Sequence, residues 1–291
     1  MGTSFNAVNF QYEKGVLLSR TILPIHGGFT FNKGLNLIEL NFSYAHKNEF
    51  EYYFSTTTSK KINIHKLWFN LSYKYMIETT LGAEKGLKNG STKRITESLF
   101  EKGKLNGLTI AAGPSSTNFT SRSSFIDEAY PFLDNHKFAN IFPEFGLGYY
   151  WHNLDFQANI SYRNIKTELT AFNYVLSSSR RAITLEAFKF INDYHGFCFF
   201  AGPAISYETL NSKLNFGNTT LSKGIYTGIK PGIIFGWDIR PNRIQTFILR
   251  TNLRYFPNLD VKMSNSKTVS LDNLEFNFIQ LVFYPGRIQN K

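Results

Sequence analysis

The feature that most constrains this chain is an alternation of apolar and polar residues, which returns in many segments separated by turn residues. Residues 154–163 place Phe156 and Ile160 in the apolar set and Arg163 in the polar set. Side chains along a β-strand point alternately to its two faces. The alternation therefore predicts a series of amphipathic strands.

Twelve segments carry enough of this pattern to be predicted as strands. They are residues 5–12, 22–32, 35–55, 61–77, 104–114, 138–151, 154–168, 179–191, 196–208, 224–238, 244–256 and 272–285. The stretch 78–103 contains turn residues and a short helix-like piece, and it holds either two more strands or one long connection. Ten and fourteen strands are therefore alternatives to twelve.

Composition supports strands and argues against helical membrane spans. Aromatic residues make up 16% of the chain, including 29 Phe and 16 Tyr, and aromatic residues favour strands. No segment approaches the ~20 consecutive apolar residues of a transmembrane helix. A membrane barrel needs apolar residues only at alternate positions, so a hydrophobic content of 42% is compatible with it.

The polar faces of the predicted strands indicate that the apolar faces point outward. In residues 141–151 the polar face carries Glu144, Gly146 and Gly148, which suits a lumen of small and charged groups better than a packed apolar core. Trp151 and Trp237 end two apolar stripes next to short turns, as the aromatic girdles of membrane barrels do. The residues predicted to face lipid or form a girdle are Phe156, Ile160, Ile233, Phe235, Phe247, Leu249, Trp151 and Trp237.

The connections between predicted strands fall into a short set and a long set. Short turns are predicted at 32–34, 152–153, 192–193 and 240–243, and long polar connections at 115–136 and 209–223. Outer-membrane barrels show this asymmetry, with short periplasmic turns and longer outside loops.

The polar faces also predict which charged side chains line the lumen. They are Arg163, Lys74, Lys230, Arg250, Arg254, Glu39, Glu144, Glu186 and Glu208, with Glu275 as a further neighbour on the closing strand. Two hypotheses follow. The charges pair and plug a narrow lumen, or they form a constriction that selects small anionic solutes.

Some membrane barrels are enzymes, so patterns of catalytic and metal-binding residues are relevant to this chain. None of the six His has a His or Cys at metal-ligand spacing, so no metal or cofactor site is predicted. Asp127, Glu128, Asp134 and His136 in the 115–136 connection resemble most nearly the acidic and His groups of a barrel protease. A solvated acidic loop explains them more simply, because catalysis requires a held geometry. No catalytic residue is predicted, and the single Cys198 is interpreted as a buried thiol.

Charge and the N-terminus bear on location and partners. The formal net charge is +11, but the basic residues are spread through turns and polar strand positions, which does not favour nucleic acid. Outer-membrane lipids, lipopolysaccharide and proteins of an envelope complex are the expected partners. Residues 1–5 do not resemble a secretory leader, so we expect an exported chain whose signal peptide is absent here, or a mitochondrial barrel.

Three segments resemble the small outer-membrane β-barrel proteins common in bacteroidete-type bacteria. They are the Gly-rich strand at 143–151, the sequence Phe200-Ala201-Gly202-Pro203, and the aromatic-rich closing strand at 274–284. The closing strand is similar to the last strand that the barrel insertion machinery recognises. The resemblance implies the fold and the bacterial outer membrane as the compartment.

These observations together predict an all-β fold, a single antiparallel up-and-down transmembrane barrel over residues 1–291, with 78–103 and 115–136 as long connections. The predicted function is non-enzymatic: a structural or accessory component of an envelope complex, or a narrow passive pore. An outer-membrane lipid or peptide hydrolase, a mitochondrial porin-like channel and a soluble ligand-binding barrel are the alternatives.

Overall fold

The computed structural model describes residues 2–3, 6–10, 18–22, 24–75, 97–119, 121, 123–133, 141–194, 197–239 and 246–288. The chain divides into two compact units, residues 1–88 with 134–137, and residues 89–133 with 138–291. No helix in these ranges is long and apolar enough to cross a membrane.

The first unit contains three small antiparallel sheets in its described part. Its strands are β1 (Gly2–Thr3), β2 (Asn6–Phe10), β3 (Leu18–Ile22), β4 (Ile25–Lys33), β5 (Asn36–Tyr44), β6 (Glu49–Tyr53), β7 (Ser59–Asn63) and β8 (Leu67–Tyr75). One sheet has the order β1-β4-β5-β8, and β2 with β3 and β6 with β7 form two hairpins. A small core of Ile22, Ala45, Phe50 and Tyr52 packs against Ile62, Ile64 and Trp68.

The second unit is built around a closed antiparallel barrel of eight strands. The strands of this unit are β9 (Gly107–Phe119), β10 (Phe142–Trp151), β11 (Phe156–Ala171), β12 (Tyr174–Tyr194), β13 (Phe197–Phe216), β14 (Thr219–Ile239), β15 (Phe247–Phe256), β16 (Asp260–Lys262), β17 (Thr268–Ser270) and β18 (Asn273–Phe283). Around the ring the order is β10-β11-β12-β13-β14-β15-β18-β9, and β16 and β17 form a separate hairpin.

The two ends of the barrel differ, and we call them the base and the crown. The base contains the start of β9, the end of β18 and the 3-10 turn His152–Leu154 between β10 and β11. At the crown, β11 turns into β12 through Phe172 and Asn173, both with positive φ, as a type I′ hairpin requires. The π-helical turn Phe125–Ala129, the 3-10 turn Pro131–Leu133 and the β16–β17 hairpin belong to the crown connections, and a 3-10 turn at Pro285–Arg287 follows β18 at the base.

The ring confirms the predicted antiparallel barrel fold and locates the predicted strands. All eight segments predicted from residue 104 onward correspond to ring strands, and the four predicted before residue 78 fall in the first unit. The ring holds eight strands rather than about twelve because β9 pairs with both β10 and β18, which closes it without N-terminal strands. That residues 1–291 form one domain stays a prediction, and much of 78–103 lies outside the described residues.

Three predicted connections differ from the structure. Residues 209–223 are not a long loop, because β13 and β14 stay paired to Phe216 and Thr219 and turn through Gly217. Residues 115–119 belong to β9, so the 115–136 connection begins later. The turn predicted at 192–193 lies within β12, which ends at Tyr194. The turn predicted at 240–243 lies outside the described residues.

The segment predicted as one long strand over 35–55 is broken in two. β5 ends at Tyr44 and β6 begins at Glu49 in a different sheet. Apolar residues keep one parity across both strands, so the alternation alone could not reveal the break. The segment 61–77 is divided in the same way between β7 and β8.

Candidate functional site

Six of the nine charged residues predicted for the lumen lie inside the barrel. Arg163, Arg250, Arg254, Glu144, Glu186 and Glu208 are each at most 2% exposed. They share this position because each stands at an inward-facing place of its strand. Lys74 and Glu39 instead pair with each other at 2.7 Å in the first unit, because their strands β8 and β5 do not belong to the ring. Lys230 is also an exception. It is half-buried on β14, its ammonium lies 5.0 Å from the Tyr226 ring, and it donates to the carbonyl oxygen of Asn258 at the crown.

The middle of the barrel is occupied by an arginine between two glutamates. Arg254 donates to both carboxylate oxygens of Glu144, at 2.6 and 2.9 Å, and from Nε to Glu186 at 2.6 Å. Glu144 also accepts hydrogen bonds from Ser115 at 2.7 Å and Gln280 at 3.1 Å. A bidentate, charge-assisted pair of this kind is among the strongest polar contacts in proteins.

Closer to the base, a second arginine binds an aspartate on the neighbouring strand. Arg250 donates from Nε to Asp238 Oδ1 at 2.7 Å and from Nη2 to Asp238 Oδ2 at 2.9 Å. Its guanidinium carbon lies 5.1 Å from the Phe188 ring and 5.0 Å from the Phe200 ring. Gln157 accepts a further hydrogen bond from Arg250 at 2.9 Å. The guanidinium is therefore held by ionic and cation–π contacts.

Towards the crown, two more arginines share one glutamate. Arg180 donates to Glu208 at 2.6 and 2.7 Å and to Glu275 at 2.5 Å, and Arg163 Nε lies 3.1 Å from Glu275. The ring of Phe256 lies 5.4 Å from the Arg163 guanidinium and 5.5 Å from that of Arg180.

These nine side chains form what we call the ion-pair network: Arg163, Arg180, Arg250, Arg254, Glu144, Glu186, Glu208, Asp238 and Glu275. Each of them has an oppositely charged partner. The network has five carboxylates and four guanidiniums, so it lacks the positive excess that an anion-selective constriction would need.

Two members of the network, Arg180 and Asp238, were missed as lumen residues by the sequence prediction. Arg180 has the same parity as Glu186 on β12, and Asp238 has the same parity as Lys230 on β14. The same parity argument that found Glu186 would have found Arg180. Nothing in the local pattern shows which carboxylate an arginine reaches.

The base of the barrel interior is filled by aromatic and aliphatic side chains. A buried cluster contains Ala111, Tyr150, Phe188, Phe190, Cys198, Phe200, Ile234, Ile248, Val282 and Tyr284. Arg287 in the C-terminal turn is buried against it, with its guanidinium carbon 3.7 Å from the Tyr284 ring. We call this cluster the aromatic floor.

The crown side of the interior is also covered. Leu176, Leu210 and Leu214 on the long strands are at most 2% exposed, as is Val261 of the β16–β17 hairpin. The hairpin packs on β13 and β14, and the turn before β10 is tied to it because Ser123 donates to the carbonyl oxygen of Thr268 at 2.8 Å. A cavity of about 10 Å³ beside Arg180 has room for at most about one water.

The outer surface of the barrel carries the residues predicted to face lipid. Ile160, Ile233, Phe235, Phe247 and Leu249 are 41–61% exposed. Trp151 lies on the same surface. Phe156 is partly buried there, with its ring centroid 5.6 Å from that of Trp151, and Trp237 is also partly buried. The polar residues that alternate with them along each strand point inward.

On β12 and β13 the apolar outer surface ends abruptly towards the crown. On β12 and β13, Ile183 and Tyr207 are cross-strand neighbours, and the next outward pair is Arg181 and Thr209. Residues 197–207 of β13 cover the apolar band, and this length matches the ~9–11 residues with which a tilted strand crosses a bilayer. β12, β13 and β14, with 21, 20 and 21 residues, extend beyond the band.

The acidic cluster considered for catalysis is only partly described. Asp127 and Glu128 lie on the exposed π-helical turn, where Glu128 is 3.3 Å from the Lys267 ammonium. Asp134 and His136 lie outside the described residues. Glu128 thus belongs to a surface ion pair.

Comparisons with known proteins return distant structural likenesses. Neisserial surface protein A is similar over 61% of this chain and 97% of its own, at 14% identity and a TM-score of 0.42. Ail, the attachment invasion locus protein of Yersinia pestis, is similar over 61% and 97%, at 11% identity and a TM-score of 0.39. No protein-family model matches the chain, and no curated protein matches it.

Proposed function

We propose that the chain is a bacterial outer-membrane β-barrel whose interior is a closed plug, and that it acts as a non-enzymatic structural or accessory component of the envelope. The outer surface supports the membrane location. Exposed apolar side chains at alternate positions surround the ring, and a soluble barrel would place them inside. A soluble ligand-binding barrel would require the opposite arrangement of faces.

The observation that carries the closed state is the ion-pair network. Its nine charged side chains are buried and each has an opposite partner, between an aromatic floor and a covered crown. An eight-stranded barrel has an interior just wide enough for side chains to fill. An open pore would instead keep its charges solvated along a continuous aqueous path.

The surface beyond the apolar band supports outer-membrane lipids or lipopolysaccharide as partners. Lys213 and Lys223 face each other directly on β13 and β14, and Arg181 lies on the neighbouring strand. All three are exposed. Like charges in directly opposed positions are unfavourable, and phosphate groups at the edge of a membrane would compensate them. This placement favours anionic headgroups over nucleic acid as partner.

The function is tested by solute passage. The purified chain would be inserted into phospholipid vesicles and placed in hyperosmotic solutions of small sugars, amino acids or salts. A closed plug should leave vesicle swelling at the rate of empty vesicles for every solute, while an inserted general porin serves as the positive control. Swelling with any small solute would support the passive-pore alternative, and failure to insert would contradict the membrane location.

A further inference from the structure

The four-stranded sheet of the first unit has two chemically different faces. On one face every described strand residue between the rims is apolar or aromatic, apart from a glycine on β4. We call this surface the apolar sheet face: Ile25, Phe29, Phe31, Ile38, Leu40, Phe42, Tyr44, Leu67, Phe69, Leu71 and Tyr73. Phe42 packs edge-on against Phe29 and Phe69, with ring centroids 6.4 and 5.4 Å apart.

The apolar side chains of this face are highly exposed, which is unfavourable in water. Phe29, Leu71 and Phe69 are 75%, 74% and 69% exposed within the chain. Contiguous apolar surfaces of this kind on soluble proteins mark contact sites for proteins or membranes. A protein or a membrane is therefore expected to cover the apolar sheet face.

The opposite face of the same sheet is mostly polar, with Leu37 and Trp68 near its two ends, and its polar side chains bond to one another. Lys74 donates to Glu39 at 2.7 Å, Ser72 donates to the same carboxylate at 3.2 Å, and His26 Nδ1 lies 2.7 Å from Ser43 Oγ. The two faces thus repeat the arrangement of the barrel wall, with ion pairs on one side and large apolar residues on the other. A sheet that docked on a protein would not need one face to be apolar along the whole length of three strands.

Charge at the rims of the apolar sheet face favours lipid over protein. One rim carries Lys33 and a hydrogen bond from Tyr73 to Asn36 at 2.5 Å, and the other carries Lys47 and Lys66 beside Tyr44. Residues 24–75 contain six Lys and three Glu, and none of these charges lies between the rims of the apolar face. Tyrosine and lysine at both edges of an apolar band suit the headgroup regions on either side of hydrocarbon.

The lengths of these strands also fit a lipid bilayer. β4, β5 and β8 each have nine residues, and a tilted strand crosses a bilayer with ~9–11. Net positive charge at the rims also complements anionic headgroups.

We propose that the apolar sheet face lies against the hydrocarbon core of the outer membrane, so that the first unit contributes a second membrane-embedded wall. The proposal rests on the outer-membrane location proposed above. Among the described residues, β1 pairs only with Ile25 and His26 of β4, and no strand pairs with the outer edge of β8. In hydrocarbon both edges need strand partners, because unpaired backbone groups are costly there. The sheet is thus expected to be one segment of a larger closed wall.

The test measures which medium surrounds each face in the full-length chain in phospholipid vesicles. In a Cys198→Ala background, single cysteines replace Phe69 or Leu71 on the apolar face and Asn70 or Ser72 on the polar face, and each carries a nitroxide spin label. Collision with oxygen reports lipid, and collision with a water-soluble nickel chelate reports water. Ile233→Cys and Leu249→Cys on the barrel provide the matched reference for lipid exposure.

The proposal predicts that labels at 69 and 71 collide several-fold more with oxygen than with nickel, like those at 233 and 249, while labels at 70 and 72 do not. Nickel accessibility at 69 and 71, with lipid exposure retained at 233 and 249, would overturn this inference alone. Inaccessibility to both reagents at 69 and 71 would mean that protein covers the face, and would overturn it too. Nickel accessibility at 233 and 249 would instead contradict the proposed membrane barrel.

Discussion

Replacement of Arg250 by Met tests whether the charged side chains inside the barrel are paired and excluded from water or are solvated. Arg250 is 1% exposed and makes two hydrogen bonds to Asp238, which is fully buried. Methionine fills a similar volume beside Phe188 and Phe200 but leaves the Asp238 carboxylate without its cation. The change therefore removes a charge while largely keeping the packing.

The expected cost follows from that burial. Removing one partner of a buried ion pair destabilises a protein by about 3–5 kcal/mol, because the other charge is left uncompensated. In a water-filled lumen the same pair would be worth about 0.2–1 kcal/mol. The double variant Arg250→Met with Asp238→Leu removes both charges, and we expect its stability to return to within about 1 kcal/mol of the original protein, since such replacements are often neutral.

The assay is urea-induced unfolding from phospholipid vesicles, followed by tryptophan fluorescence. Lys267→Met is the matched control, because Lys267 pairs with Glu128 at 3.3 Å on the exposed crown and its loss should cost less than about 1 kcal/mol. If Arg250→Met were as mild as Lys267→Met, the interior would be solvated and the reasoning refuted.

Two further predictions concern the outer surface of the barrel. Ile233→Arg should destabilise the inserted barrel by about 2–4 kcal/mol, whereas Leu221→Arg, on the same strand beyond the apolar band, should cost less than about 1 kcal/mol; equal costs in the same unfolding assay would contradict the position of the band. Lys213→Gln with Lys223→Gln should weaken binding of lipopolysaccharide by about thirtyfold and reduce its salt dependence, since each lysine near an anionic surface contributes about 1 kcal/mol. Lys102→Gln with Lys104→Gln removes the same charge near the base and should leave binding unchanged in a titration calorimeter, so a similar loss in both double variants would point to unspecific attraction.

Alternation along single strands was enough to predict the barrel and its inward-facing charges. Arg250, Arg254 and Glu144 could be assigned to the interior because a strand places every second residue on one face. Residues 210, 212 and 214 continue the parity of the inward-facing residues of β13 into 209–223. That segment is nevertheless predicted as a connection, because it contains Asn, Gly, Ser and Thr residues. The buried Leu210 and Leu214 show that pairing, rather than composition, decided the outcome there.

The ring closure and the ion-pair partners could not be predicted in this way. β9 and β18 are separated by most of the second unit, and no local pattern shows that Leu281 aligns with Ala112. Likewise, Arg180 reaches Glu275 from a distant strand. Contacts of this kind depend on strand tilt and register around the whole ring.

The central claim, that the barrel is closed, is tested most directly by conductance in planar lipid bilayers. We expect no stable current steps for the original protein at neutral pH. Arg250→Ala with Arg254→Ala leaves the five carboxylates of the network in excess over its two remaining arginines, so any leak in that variant should favour cations. A large, stable conductance from the original protein would show that the barrel is open.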